Sequence, residues 1–275
     1  MDESLRNLQR PVALLAFEGW NDAADAATAV VAHVGLVYDA DVVYEIDGDD
    51  FYDYQQTRPR VVAEGENRVI EWPSTTIGVA HAGDRDFVLI SGPEPNMRWR
   101  AYTQAIMTVL RSVQPELVVV MGAMLTEEPH SRPLHVMAVS DDPRVRDQLG
   151  VQPSEYEGPT GIVGIVADAC SRAGYSVVSV WGSVPHYVAN PPNPKATLAM
   201  VRRLEDLLNK TLELGDLPDL AAAWERGVNQ LASDDPEVAE YVARLERNQD
   251  ASDLPEATGE SIAAEFQRYF RRHER

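Results

Sequence analysis

The run Val12-Ala13-Leu14-Leu15-Ala16-Phe17, followed by Glu18-Gly19-Trp20-Asn21-Asp22, decides the fold. Six consecutive apolar residues without alternation mark a strand covered on both faces, as in a parallel sheet. A glycine turn then leads to Asn21 or Asp22, either of which caps a helix through about Val34, with Ala23, Ala26, Ala27, Val30 and Val31 on its packing side. Strand, turn and capped helix form the first half of a βαβ unit, which predicts an α/β protein. Ligands of such proteins gather where strands end and helices begin, so Trp20, Asn21 and Asp22 are candidate binding residues.

The same grammar recurs along the chain. Phe87–Ser91 is a buried strand closed by Gly92-Pro93-Glu94-Pro95-Asn96, with a helix expected from about Met97 to Val113. Leu117–Met121 is the most hydrophobic strand, and a polar loop from Thr126 to Pro133 follows it. Ser176–Trp181 ends in Gly182–Val188, after which Pro194 opens a long helix. These segments predict a mostly parallel sheet flanked by helices. Val42, Tyr44 and Ile46 alternate like a half-buried strand, Arg68–Trp72 and Thr75–His81 read as a hairpin around Pro73-Ser74, and Leu134–Val139 reads as a strand. A short helix is expected at Pro143–Leu149. From Gly215 onward no strand pattern occurs; amphipathic helical patterns cover 217–231, 236–248 and 260–272. The expected organisation is an α/β core over residues 1–214 and a helical C-terminal extension over 215–275.

Tyr156-Glu157-Gly158-Pro159-Thr160-Gly161-Ile162-Val163-Gly164 is the clearest functional signal. Gly158 and Pro159 break the preceding structure, and Thr160 is placed to cap a helix from about Gly161 to Ala173. A helix start presents free N–H groups and the positive end of a dipole, which suit an anion. Arg98 and Arg100 stand in the first turn of another expected helix, against its dipole, which calls for an acidic neighbour such as Glu94 or for an anionic ligand. If the strand ends converge, Arg98, His130, Arg132, His186 and the helix start at Gly161 line a crevice that is locally cationic on an acidic protein.

Composition narrows the functions. A net charge of −20 and a pI near 4.6 oppose binding to nucleic acid or an anionic membrane. The single cysteine, Cys170, excludes an intrachain disulfide and any multi-cysteine zinc site, and its apolar helical setting predicts an inert buried thiol. The start Met-Asp-Glu-Ser lacks a signal peptide's basic flank, and no apolar run approaches ~20 residues, so a cytoplasmic protein is expected. GxSxG, GxxxxGK[ST] and GxGxxG are all missing, and only Lys195 and Lys210 are lysines. His130 and His135 with Glu127 and Glu128 match no HExxH helix, which Pro129 and Pro133 forbid, and Asp47–Asp50 lacks calcium-loop spacing. Ser183 with His186, or His130 with Glu127, are acid–base pairs by proximity alone. No metal and no cofactor are expected.

Taken as a set, five short segments resemble the proteasome assembly chaperone 2 family in its bacterial, actinobacterial branch. They are Gly-Trp-Asn-Asp-Ala at 19–23, Gly-Pro-Glu-Pro-Asn-Met-Arg-Trp at 92–99, Pro-His-Ser-Arg-Pro at 129–133, Tyr-Glu-Gly-Pro-Thr-Gly-Ile at 156–162 and Val-Pro-His-Tyr-Val at 184–188. The resemblance spans about residues 11–215. It implies an α/β core similar to nucleoside phosphorylases and peptidyl hydrolases, homo-oligomers that include trimers, and proteasome subunits as partners. Relatives are similar in docking through a hydrophobic-Tyr-X tail, whereas this sequence closes with Arg272-His273-Glu274-Arg275. Two functions stay open: a non-enzymatic protein-interaction or assembly factor, and a hydrolase- or phosphorylase-like enzyme or sensor for a small anionic ligand.

Overall fold

The computed structural model describes residues 5–65 and 67–253. In chain order its elements are β1 (Val12–Glu18), α1 (Ala26–Val37), β2 (Asp41–Ile46), β3 (Arg60–Glu64), β4 (Asn67–Glu71), β5 (Thr75–His81), β6 (Asp86–Pro93), α2 (Trp99–Val113), β7 (Leu117–Thr126), β8 (Val136–Val139), α3 (Pro143–Leu149), α4 (Ile162–Arg172), β9 (Val177–Pro185), α5 (Pro194–Leu208), α6 (Leu217–Asp234) and α7 (Pro236–Asp253). The helical pattern at 260–272 lies outside the described residues.

β1 runs through the middle of a seven-stranded sheet of order β2-β5-β6-β1-β7-β9-β8. It pairs in parallel with β6 and β7, and β7 pairs in parallel with β9. Alternation explains the unbroken apolar run. Val12, Leu14 and Ala16 point to the layer of α1, α5 and α6, while Ala13, Leu15 and Phe17 point to the layer of α2 and α4. Both faces are therefore core, and each fully buried leucine or phenylalanine contributes about 1.5–3 kcal/mol relative to exposure. The mixed α/β architecture follows, with a parallel centre and antiparallel pairings at β2–β5, β5–β6 and β8–β9.

Two peripheral expectations are corrected. Arg68–Trp72 does not form a hairpin with Thr75–His81: β4 pairs with β3 across a turn at Gly65, whose φ of +60° suits glycine, and makes a separate two-stranded sheet. Pro73-Ser74 instead carries the chain into β5, an interior strand between β2 and β6 that starts at fully buried Thr75. In β2 the expected inward set was Val42, Tyr44 and Ile46, but a bulge between Val42 and Tyr44 shifts the phase. Val42 and Tyr44 are left exposed and Ile46 alone of the three is buried.

The helices after Gly215 are anchored to the rest. Leu217 and Ala221 of α6 join the same apolar cluster as α1 and α5, and α7 packs along α6. Among the described residues no helix is long and apolar enough to cross a membrane.

Candidate functional site

The C-terminal ends of β1, β6, β7 and β9 converge as a parallel centre requires, and the turn after β1 is the most constrained of the segments there. Gly19 has φ +103°, and Ala24 and Asp25 both adopt left-handed conformations that cost a non-glycine residue of order 1 kcal/mol each. The turn is pinned to β7, because the Ala123 N–H donates to the Asn21 carbonyl at 2.8 Å. Asp22 is 4 % exposed. Its carboxylate accepts the Ala27 N–H at 2.6 Å and the Thr28 N–H at 3.2 Å, and the Thr28 hydroxyl as well, so it caps α1 from four residues upstream. Burial nevertheless pushes its pKa up to about 6, against the pull of those hydrogen bonds.

The start of α4 is already filled. Thr160 was the expected cap, but its hydroxyl lies 3.4 Å from the Gly161 carbonyl and makes no capping bond. The cap comes from the residue just past β6: Glu94 Oε1 accepts the Ile162 N–H at 2.8 Å and the Asn21 Nδ2–H at 2.7 Å. One carboxylate thus holds three segments together at the place where an external anion would sit. Gly161 is required by close approach, since a side-chain carbon there would collide with both amide atoms of Asn21. Asn21 is 2 % exposed, and its Oδ1 has no hydrogen-bond partner among the described residues.

The expected cationic crevice is not assembled. Arg98, left-handed at the start of α2, turns to Asp50 rather than Glu94. Arg132 grips Asp250 of α7 through two parallel bonds of 2.8 and 2.9 Å and reaches Glu246 at 3.4 Å. His186 donates from Nδ1 to the Thr126 carbonyl at 3.1 Å and lies 3.1 Å from the Tyr241 hydroxyl of α7. His130 is fully buried. Its backbone N–H donates to the Tyr187 hydroxyl at 2.8 Å, and that hydroxyl, 2.7 Å from Nδ1, donates back. Nε2 is then the protonated nitrogen and donates to Asn229 Oδ1 of α6 at 3.1 Å. Burial lowers the His130 pKa and raises that of Tyr187 to about 12. Lys195 donates to the His130 carbonyl and to Glu225 of α6 at 2.6 Å. His130, Arg132 and His186 therefore fasten α6 and α7 to the sheet. Their partners Tyr187, Asn229, Glu246 and Asp250 leave no local mark in the sequence, because they lie 57 to 118 residues away.

Beside the Glu94 junction opens a groove of about 710 Å³ that runs from the ends of β1 and β7 along β8 and the first half of β9, with the flank of α4 as its other wall. Trp20, Asn21, Thr160 and Gly161 line it, so four of the ten candidates meet there. Its walls are chiefly apolar: Met124, Leu125, Met137, Tyr156, Val163 and Trp181. The Trp181 ring lies against Gly122, where any side chain would strike it. Trp20 and Tyr156 are 69 % and 67 % exposed, and Met124, Leu125 and Met137 are exposed too. Asp141 and Asp168 are its carboxylates, and among the described residues no lysine, arginine or histidine lines it. The apolar residues of the loop after β1, of β7 beyond Met121 and of β8 are the sequence signal for this groove. Among the described residues no group of three His, Cys, Asp or Glu is placed to hold a metal ion. Cys170 is buried, which pushes its thiol up to about 12.

The PAC2 family model matches residues 16–232. A PAC2 family protein from Streptomyces avermitilis is 48 % identical, with a TM-score of 0.79 over 84 % of this chain and 99 % of its own. A proteasome-assembly chaperone homologue from Mycobacterium tuberculosis is 44 % identical, with a TM-score of 0.75 over the same shares of the two chains. The archaeal proteasome activator PbaB from Pyrococcus furiosus has the same fold at 15 % identity, with a TM-score of 0.64 over 82 % of this chain and 94 % of its own. No curated protein sequence matches significantly. With matching model, relatives and sheet in agreement, this chain belongs to the PAC2 family.

Proposed function

We propose that the protein is an assembly factor that works through protein contacts, with proteasome subunits as partners, in the cytoplasm and as a homo-oligomer. One observation carries the reading: the strand-end face presents exposed Trp20, Met124, Leu125, Met137 and Tyr156, while the Glu94 carboxylate beside it is taken up by Asn21 and the start of α4. Such a face offers apolar area to a partner. The name of the Mycobacterium tuberculosis relative supports the choice of partner. A small-anion site draws no support from this face, because Glu94 fills the helix start and Arg98 and Arg132 are paired elsewhere.

The test is affinity capture of the purified protein with proteasome α and β subunits of the source organism, read by native mass spectrometry. A defined complex is expected. Met137→Asp, which puts a charge on the exposed apolar face, should weaken it at least tenfold. Absence of any complex, with proteasome assembly unchanged on deletion of the gene, rejects the function.

A further inference from the structure

β3 and β4 make a sheet of two strands only. Such a ribbon is marginal in water unless a third strand or a packed face supports it. The chain itself supplies little of either. Among the described residues no further strand or isolated bridge joins β3 or β4, and every residue of the two strands except Val62 and Val69 is exposed. The exposed set includes Val61 and Ile70, which stand opposite each other across the ribbon. In an antiparallel pair every second residue turns its N–H and C=O away from the neighbouring strand, so both outer edges carry backbone groups open to another strand.

Charge selects the edge and the strand that fits it. A second copy of β3, laid antiparallel on the first about a two-fold axis at Val62, sets Arg60 against Glu64 of the other copy and Val61 against its Ala63, each contact occurring twice. Within one ribbon Arg60 already stands opposite Glu71, and Val62 opposite Val69. The joined sheet then carries on one face a row of Glu71, Arg60, Glu64 and Asn67, and beside it a row of four valines, Val69 and Val62 from each copy. Opposite charges in such cross-strand positions attract, and like charges repel. The same operation on β4 about Val69 sets Arg68 against Ile70 and Asn67 against Glu71, and forms no ion pair. Glu64 makes no ion pair within its own chain among the described residues. Charges on an edge strand ordinarily keep other chains away. The order of Arg60 before Glu64 instead makes this edge complementary to an antiparallel copy of itself.

We propose that β3 is a self-association edge: two copies of the chain join β3 to β3 about Val62, giving an intermolecular sheet of order β4-β3-β3-β4. The inference rests on the homo-oligomer part of the reading above and not on proteasome subunits being the partner. Five residues on each side are a small contact, so the association is weak, with a dissociation constant of about micromolar order.

Sedimentation of the full-length protein with no partner present, across about 1–200 µM, measures the contact. The wild type should self-associate. Glu64→Arg sets arginine against Arg60 of the other copy twice and should weaken association at least tenfold. Arg60→Glu should weaken it as well, although in its own chain it also meets Glu71 and the more distant Glu18. An equimolar mixture of the two single variants should regain association between unlike chains, because one chain then carries arginine and the other glutamate at both positions. That recovery also shows that neither variant has lost its fold. A wild type that stays monomeric across the range overturns the proposal together with the homo-oligomer. An oligomeric wild type that both substitutions leave unchanged overturns the β3 contact alone. So does weakening in both variants with no recovery in the mixture, since Arg60 and Glu64 are then not opposite each other.

Discussion

Glu94 gives the sharpest test of how this face is built. Glu94→Ala removes two bonds to a charged acceptor, from the Ile162 N–H and from Asn21 Nδ2. Asn21 is buried and its Oδ1 is already without a partner, so the variant strands the whole amide. At ~1.5 kcal/mol per bond, the low end for charged acceptors, the loss is about 3 kcal/mol. For a chain of this size that corresponds to roughly 6–12 °C in Tm. Glu94→Gln keeps an acceptor and loses the charge facing the helix dipole, for about 1 kcal/mol. Thr160→Ala removes no capping bond and stays within about 0.5 kcal/mol. Urea denaturation followed by circular dichroism measures all three as shifts in midpoint at constant slope. Removing the carboxylate also empties an anion site, so millimolar phosphate should stabilise Glu94→Ala relative to chloride of equal ionic strength and leave the wild type unmoved. A loss below about 0.5 kcal/mol for Glu94→Ala, or a larger loss for Thr160→Ala, refutes the assignment of the cap.

Other consequences follow from burial and charge. The Asp22 pKa is raised to about 6, so the folded state binds its proton more tightly than the unfolded one. Stability from this group is fully present below the ordinary carboxylate range and is lost as pH rises through about 6, by an order of 3 kcal/mol; Asp22→Asn should flatten that slope in denaturation curves. His130 has the opposite sign. Its folded pKa is depressed by burial, so its contribution is present above ~6.5 and falls as the medium acidifies toward the folded pKa. Protonation removes the acceptor for Tyr187, next to Lys195, Glu225 and Glu246, so amides of α6 and α7 should exchange faster at pH 5 than at pH 7 once corrected for intrinsic rates. Gly161→Ala forces Asn21 from its place and should cost about 1–3 kcal/mol, read as a drop in denaturation midpoint. Cys170 should react with a thiol reagent no faster than the protein unfolds, because it is buried and its thiol is held up near 12.

The central sheet was legible because burial on both faces leaves a local mark. Val12–Phe17, Phe87–Ser91 and Leu117–Met121 are apolar without interruption for that reason. The periphery was not. β3 and β4 are solvent-washed on both sides, so no alternation selects their partner, and the Pro73-Ser74 turn chemistry pointed to the wrong neighbour. In β2 one bulge takes Val42 out of phase with Tyr44 and Ile46. At the site, local grammar correctly picked the helix start at Gly161 and chose the wrong cap, because Glu94 arrives from another strand. Nothing local shows that Arg132 is taken up, since its acids lie in α7, 114 and 118 residues away.

The central position of β1 also sets a schedule for biosynthesis. Val12 leaves the ribosome well before its partners, Phe87 on one side and Leu117 on the other. At roughly 5–20 residues per second, the second partner emerges about 5–20 s after β1 does. Until Phe87 emerges an uncharged run of six apolar residues has no native neighbour to pair with, and until Leu117 emerges one of its edges stays open, which is the kind of segment that joins nascent chains together. A protein that reads as an aid to the assembly of others therefore has a vulnerable period of its own, and its yield in a cell should respond to translation speed and to chaperones that shield nascent chains.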